Sequence, residues 1–418
     1  MRKLLVTILA AFIVLGCSER PAGISEPEIP ADYYAGVLRM YPFKKIVRET
    51  PPQGYKPFMI SHYGRHGARF HGDDTQGRKI YDVLDSAHRN ASLTPLGEEL
   101  YDYIGRFYSL YEGHAAELTE KGRLQHRELA HRMWDAYPEV FKAHPEITAC
   151  ATLVPRVILS MGAFCDGLKD RDPALWVQQQ SNKADVVFLA PHQLISDFKE
   201  KEKVSWAVAR DFGLEIIPTE AFLERIFGDR NYAIPSYPSA VSFMRNVCYL
   251  ISNAPGLDVD LPEVPVVFSQ EELERLWETD NAVHYQNYGL YPERSFIPEM
   301  RPILEHIVKQ AAEDIASGKP VVRLRFGHDV DIMALLVLLQ AEGWTGSTSD
   351  LKEVKNVWQN WRIPMAANLQ FVFFRHPRKE DVLLQVLLNE EPVQLPLEPV
   401  TGHFYQWNAF ESYYNCQL

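Results

Sequence analysis

Residues 58–70 constrain the fold of this chain more than any other stretch, because an apolar run ends there among glycines. The stretch reads F-M-I-S-H-Y-G-R-H-G-A-R-F: residues 58–60 are typical of a buried strand, and Gly64 and Gly67 interrupt the pattern. A strand that stops in a glycine-rich turn presents its next side chains at the carboxyl edge of a sheet, where open α/β folds bind ligands. The stretch therefore predicts an α/β fold with a ligand site in this turn.

The turn also carries a chemically specific set of side chains, since Arg65 and Arg69 flank His66. Each guanidinium can donate two hydrogen bonds to the oxygens of a tetrahedral anion such as phosphate. An imidazole between them would face phosphorus as a nucleophile. The alternative interpretation is an exposed basic turn.

Two further strand-to-helix junctions carry polar residues. Residues 147–153 are typical of a strand, and Arg156 follows at the start of a helix, whose dipole favours an anion. Residues 321–326 predict another strand, which ends in His328 and Asp329 before an apolar helix. Taken alone, Arg156 would more often be a surface residue, and a His-Asp dipeptide is weak support for a site.

Together the three junctions resemble the histidine phosphatase superfamily, in the family's own order, over about residues 58–388. Residues 65–69 resemble its R-H-G-x-R signature, and residues 151–161 are similar to its A-T-x-x-x-R-x-x-x-S-M segment. His328-Asp329 resembles the H-D motif of the acid phosphatase and phytase branch.

The resemblance implies a role for each of these residues and requires neither a metal nor a cofactor. A phosphohistidine would form on the nucleophile, and the general acid would protonate the leaving alcohol. The implied catalytic residues are His66 and Asp329, and the implied phosphate-binding residues are Arg65, Arg69, Arg156 and His328.

The substrate is a finer question. Residues 61–64, S-H-Y-G, are similar to exported bacterial multiple inositol-polyphosphate phosphatases, which favours inositol polyphosphates such as phytate. The chain departs from many relatives at Phe70, where they carry a tyrosine, and at His71, where a proline often stands. The inositol-polyphosphate phosphatases also commonly carry H-A-E where this chain has His328-Asp329-Val330, so the acid would follow phytase usage. The alternatives are a broad acid phosphatase or sugar-phosphate phosphatase, and an anchored binding protein without catalysis.

The predicted architecture is an α/β fold with a mostly parallel central sheet flanked by helices. Residues 33–166 and 300–418 would form the α/β domain, with strands at 369–374 and 382–388, and residues 167–299 a mainly helical insertion domain. Helix starts are signalled by side chains that cap a first turn. These are Thr94, Thr119 and Ser269.

The N-terminus predicts export. Residues 1–17 match a lipoprotein signal peptide, with an apolar run at 4–15 and the box V-L-G-C ending at Cys17, the expected site of lipidation. Residues 18–32 are polar and proline-rich, which suits a tether. The chain would thus be anchored to the bacterial cell envelope by lipid. An ordinary signal peptide with an incidental cysteine is the alternative.

The net charge of −12 argues against a nucleic-acid partner. It does not exclude a phosphorylated small-molecule substrate, because a few local arginines can invert the field of a pocket. The chain has four further cysteines, which permit two disulfides, but their spacing in the sequence does not show which cysteines pair. They are Cys150, Cys165, Cys248 and Cys416. The oligomeric state stays open.

Overall fold

The computed structural model describes residues 30–258 and 264–417, and Asp32–Leu418 form one compact unit. The predicted signal peptide, Cys17 and all but the end of the predicted tether lie outside the described residues. Within the described residues no helix is long and apolar enough to cross a membrane.

A single mixed sheet forms the centre of this unit. Its order is β3-β2-β4-β1-β5-β6-β7, with β8 paired to β6; β3, β2, β4 and β1 run parallel, and the pairs beyond β1 are antiparallel. The α/β class is confirmed. The strands are β1 Lys56–Arg65, β2 Glu146–Ala151, β3 Val177–Gln180, β4 Val321–Gly327, β5 Asn368–Arg375, β6 Val382–Leu388, β7 Glu391–Pro392 and β8 Tyr405–Gln406.

The helices begin where the capping residues predict. The side chains of Thr94, Thr119 and Ser269 each accept a hydrogen bond from a first-turn backbone N–H. The α-helices are α1 Asp74–Arg89, α2 Pro95–Tyr111, α3 Glu120–Ala136, α4 Pro138–Lys142, α5 Pro155–Arg171, α6 Val186–Leu189, α7 Phe198–Ile216, α8 Glu220–Phe227, α9 Ala240–Asn253, α10 Gln270–Tyr288, α11 Ile297–Ser317, α12 Asp329–Leu338, α13 Val354–Val357 and α14 Trp407–Gln417. Short 3-10 helices lie at Tyr33–Leu38, Pro191–Leu194, Ala254–Gly256, Leu351–Glu353 and Asn360–Arg362.

Each face of the sheet has its own hydrophobic core. Because side chains alternate along a strand, Phe371 and Phe373 of β5 pack with α11, α12 and α14, while Val372 and Phe374 pack on the side of α3 and α5. Strands buried on both faces read as continuous apolar runs, as β5 and β6 do.

A third core lies among helices alone and joins α1 and α2 to α8, α9 and the start of α10. It therefore uses residues on both sides of the predicted boundary at 167. Strand β3 falls inside the predicted insertion but pairs with β2 in the central sheet. Whether 167–299 forms a separate domain stays a prediction.

The cysteines of the described residues form no disulfide: Cys150, Cys165, Cys248 and Cys416 are all free thiols. Cys165 and Cys248 are buried in different cores, which keeps them apart. In the same part of the chain, no group of three or more His, Cys, Asp or Glu side chains is arranged to hold a metal ion.

Candidate active site

Three parallel strands end level with one another, and the candidate site lies at their carboxyl ends. In the register, Arg65 of β1 is opposite Gly327 of β4, and Ala151 of β2 is opposite Phe326. The pairing continues one residue beyond, where the His66 N–H donates to the Gly327 carbonyl at 3.2 Å. The polar residues that follow the three strands are therefore neighbours, although His66 and Asp329 lie 263 positions apart in sequence.

Side chains of α3 and α5 hold the turn after β1 through hydrogen bonds to its backbone. The Gly67 N–H donates to the Ser160 hydroxyl at 3.1 Å, and the Ala68 N–H donates to the Gln125 side-chain oxygen at 2.8 Å. Glycine is required at 67 by proximity, because a Cβ there would lie 2.4 Å from the Gly122 carbonyl oxygen. The turn that carries His66 is therefore packed closely against α3 and bonded to α3 and α5.

His66 is oriented and kept neutral by its surroundings. Its ring is almost fully buried, and its Nδ1 lies 2.9 Å from the Gly67 carbonyl oxygen. A carbonyl can only accept, so Nδ1 carries the proton and Nε2 keeps a free lone pair. Burial, and then the charges of Arg65, Arg156 and Arg69, hold the pKa of His66 well below its ordinary value. These are the properties required of an imidazole nucleophile.

Arg65 is fixed by carbonyls and by a carboxylate. It is fully buried, and it donates to the carbonyls of Val37 at 2.5 Å and Ile363 at 2.9 Å. Its remaining terminal nitrogen lies 2.8 Å from the Asp329 carboxylate, so the residues that end β1 and begin α12 form an ion pair. Its Nε has no partner.

Arg69 and Arg156 are less fully paired. Arg69 donates to the Phe70 carbonyl at 2.8 Å and to the Tyr249 hydroxyl at 3.5 Å. Arg156 makes no hydrogen bond or ion pair with any described residue, and the buried Nε of both arginines is unpartnered. Burial, and then the charge of Arg69, lower the pKa of Arg156 to about 10. Donors left unpaired in a partly buried site favour an anionic ligand.

The start of α12 supplies the last two predicted residues. Burial is the main cause that lowers the pKa of His328 to about 4, so the ring is neutral. The ring of His328 stands edge-on to that of His66, with 5.8 Å between the ring centroids. Burial alone would raise the pKa of Asp329, but the Arg65 guanidinium holds it well below its usual range. Asp329 is thus a carboxylate in the ligand-free site. All six predicted residues lie close enough for their charges to act on one another: Arg65, Arg69, Arg156 and His328 on His66, and Arg65 and His328 on Asp329.

Asp331 has a structural role that the sequence left open. It is fully buried and accepts hydrogen bonds from the His328 N–H at 3.0 Å and the Tyr63 hydroxyl at 2.9 Å, and it pairs with His192 at 2.9 Å. It therefore holds the first turn of α12. Sequence reasoning did not find His192 or Tyr249, because neither lies in a motif.

The comparisons with known proteins agree with this geometry. The family model of the histidine phosphatase superfamily (branch 2) matches residues 64–210 and 259–389. The chain belongs to this family, and the predicted enzyme class, a histidine acid phosphatase, is confirmed. Among curated proteins, no sequence matches significantly.

Solved structures of similar fold include inositol-phosphate enzymes. The multiple inositol polyphosphate phosphatase of Bifidobacterium longum, in complex with inositol hexasulfate, has a TM-score of 0.76 at 16% identity, over 91% of this chain and 97% of that one. The phytase from D. castellii has a TM-score of 0.71 at 14% identity, over 92% and 85%. The phytase of Klebsiella sp. ASR1 has a TM-score of 0.53 at 14% identity, over 88% and 96%. At these identities, the likeness shows the fold alone.

The shifted pKa values predict the pH dependence of kcat/KM, which reports the free enzyme and the free substrate. The pKa of His66 is lowered, so the ring stays unprotonated as the pH falls. If Asp329 serves as the general acid that the resemblance implies, its proton must arrive on the phosphate monoanion, whose second pKa is about 6, because Asp329 is already ionised. We expect kcat/KM to hold from about pH 6 to about pH 4.5 and to fall at higher pH. An acid limb centred near 6.5, the ordinary pKa of histidine, would contradict a buried neutral His66.

Proposed function

We propose that this protein is an exported phosphomonoesterase that works without a metal ion, through a phosphohistidine on His66. The observation that carries the proposal is the state of this residue. Its Nδ1 is bound to a carbonyl, its Nε2 is free, and three guanidiniums surround it. Phosphate oxygens repel a nucleophile, and arginine forks neutralise that charge in the same way as a bound cation would.

The reaction has two steps. Nε2 of His66 attacks phosphorus as the bond to the ester oxygen breaks, and the leaving alkoxide takes a proton from Asp329. Arg65 is shared with the bound phosphate at this stage, so its hold on the Asp329 carboxylate weakens and that group accepts the proton of the phosphate monoanion. In the second step a water gives a proton to Asp329 and displaces phosphate from His66. Asp329 then passes that proton to the departing phosphate, which restores the free site with an ionised Asp329.

Inositol polyphosphates such as phytate are the substrates we propose. Support comes from the fold shared with a phosphatase and phytases of that substrate class and from the S-H-Y-G sequence before the motif. A second candidate, a sugar phosphate, is favoured by the cavity beside the site. Its walls include Trp206, Tyr249 and Trp277, and its only lysine or arginine is Arg245. Turnover of phytate against glucose 1-phosphate, with analysis of the products, separates the two.

We expect His66→Ala to lower kcat by a factor on the order of a thousand or more while the protein stays folded, because the variant lacks the attacking atom. The assay is turnover of p-nitrophenyl phosphate with excess chelator present, alongside thermal unfolding. The matched control is His144→Ala, which alters an exposed residue before the amino end of β2, whereas the site lies at the carboxyl ends of the strands. A folded His66→Ala protein with a tenth of normal activity, or phosphate trapped on another residue, would remove His66 from this role.

Asp329→Asn should act differently, because the nucleophile remains and the proton donor is lost. The loss in kcat should be large for an alkyl phosphate, whose alkoxide needs a proton, and smaller for p-nitrophenyl phosphate, whose leaving group departs readily. The ratio of the two losses is measured in parallel assays. Equal losses would indicate that Asp329 only positions Arg65 through their 2.8 Å ion pair.

We also propose that Cys17 carries a lipid anchor. The support is the charged start, the apolar run and the V-L-G-C box at residues 1–17. Cells that express the full chain should incorporate labelled palmitate into it, and the protein should partition into detergent. Cys17→Ser should abolish the labelling and leave phosphatase activity unchanged. A wild-type protein that is exported without label would favour the ordinary signal peptide.

A further inference from the structure

A cavity of about 480 Å³ lies beside the catalytic pocket, between the 3-10 helix Tyr33–Leu38, α9 and α10. Two of its lining residues contact the phosphate-binding arginines. The Val37 carbonyl accepts a hydrogen bond from Arg65 at 2.5 Å, and the Tyr249 hydroxyl accepts one from Arg69 at 3.5 Å. The cavity therefore adjoins Arg65 and Arg69.

Arg245 lines this cavity one helical turn before Tyr249, and so on the same face of α9. Its guanidinium lies over the Trp206 ring, with 5.1 Å to the ring centroid. It makes no hydrogen bond or ion pair with any residue in the described part of the chain, and burial lowers its pKa. A guanidinium has five donors, and those of Arg245 are not used by hydrogen bonds to the described residues, although the charge of Asp280 acts on it within the same cavity.

We propose that Arg245 binds a second phosphate group of the substrate while the first lies at His66. This inference rests on the proposed function and deepens it. Tyr249 separates the two positions, since it contacts Arg69 and lines the cavity that holds Arg245. A guanidinium that faces a cavity and stacks on an indole presents its donors in one plane, which matches two phosphate oxygens.

The other charges in the cavity limit how many phosphates it takes. Asp73 and Asp280 also line it, and both already accept hydrogen bonds, from Thr75 at 2.8 Å and from Asn360 at 3.0 Å. With one cation and two carboxylates, the cavity suits one additional phosphate on a ring that also presents hydroxyls. Carboxylates accept hydrogen bonds from hydroxyls but repel further phosphates.

The test compares two substrates that share a ring: a myo-inositol bisphosphate and myo-inositol 1-phosphate. In Arg245→Ala we expect kcat/KM for the bisphosphate to fall about tenfold to a hundredfold, mainly through KM, as for a lost charge-assisted hydrogen bond. For the monophosphate we expect a change below about threefold, and Arg245→Lys should restore part of the loss. The matched control is Arg210→Ala, an exposed arginine of α7 paired with Asp211, which should change neither.

Two outcomes would overturn the proposal: no change for either substrate, or equal losses for both, as expected if Arg245 serves only to stabilise the fold. Thermal unfolding of each variant reports on folding. Calorimetric binding of the bisphosphate to His66→Ala, with and without Arg245→Ala, tests the site apart from turnover. Weaker binding on loss of Arg245 supports the subsite even if His66 is not the nucleophile, and unchanged binding refutes it. A wild-type protein that hydrolyses neither substrate would refute the proposed function alone.

Discussion

The pairing of β1 with β4 is the constraint on which the rest of the site depends. It places Arg65 opposite Gly327, so that His66 and His328 follow side by side. Gly327 allows this arrangement by having no side chain, because a Cβ there would overlap the Tyr63 hydroxyl at 1.9 Å. The Tyr63 hydroxyl instead reaches Asp331, which accepts from the His328 N–H. Strand register and helix start are thus set by one connected group of contacts.

The site gathers three guanidiniums around a neutral imidazole and only one carboxylate. That excess of positive charge is unfavourable without a ligand, since Arg65, Arg69 and Arg156 repel one another in a buried space. A phosphate relieves the repulsion and provides oxygens for the unpaired donors. The Arg65–Asp329 pair partly compensates for the charge in the free enzyme. In the proposed mechanism a bound phosphate competes with Asp329 for the same guanidinium, so substrate binding would itself change the protonation of the proposed acid.

The residues that we propose determine substrate specificity belong to helices rather than to the sheet. In the proposed function the phosphate binds at the strand ends, whereas Arg245 and Tyr249 of α9 and Trp206 of α7 line the adjoining cavity. The cavity is lined by one arginine and two carboxylates, Arg245, Asp73 and Asp280, rather than by several lysines and arginines. If Arg245 binds a second phosphate as we propose, the cavity would favour a substrate with few phosphates bound at once, which bears on both inositol phosphates and sugar phosphates.

Local sequence determined much of this protein. Short-range physics sets caps at Thr94, Thr119 and Ser269 and the strand-to-turn junctions at Arg65, Arg156 and His328, so these could be predicted from neighbouring residues. Only the tertiary structure decided the ion pair of Arg65 with Asp329, the buried role of Asp331 and the free state of the four described cysteines. The same holds for the cavity at Arg245. Each of these features depends on which distant segments become neighbours in the fold. Strand register and helix packing decide this, and neither produces a periodic pattern that could be recognised in the sequence.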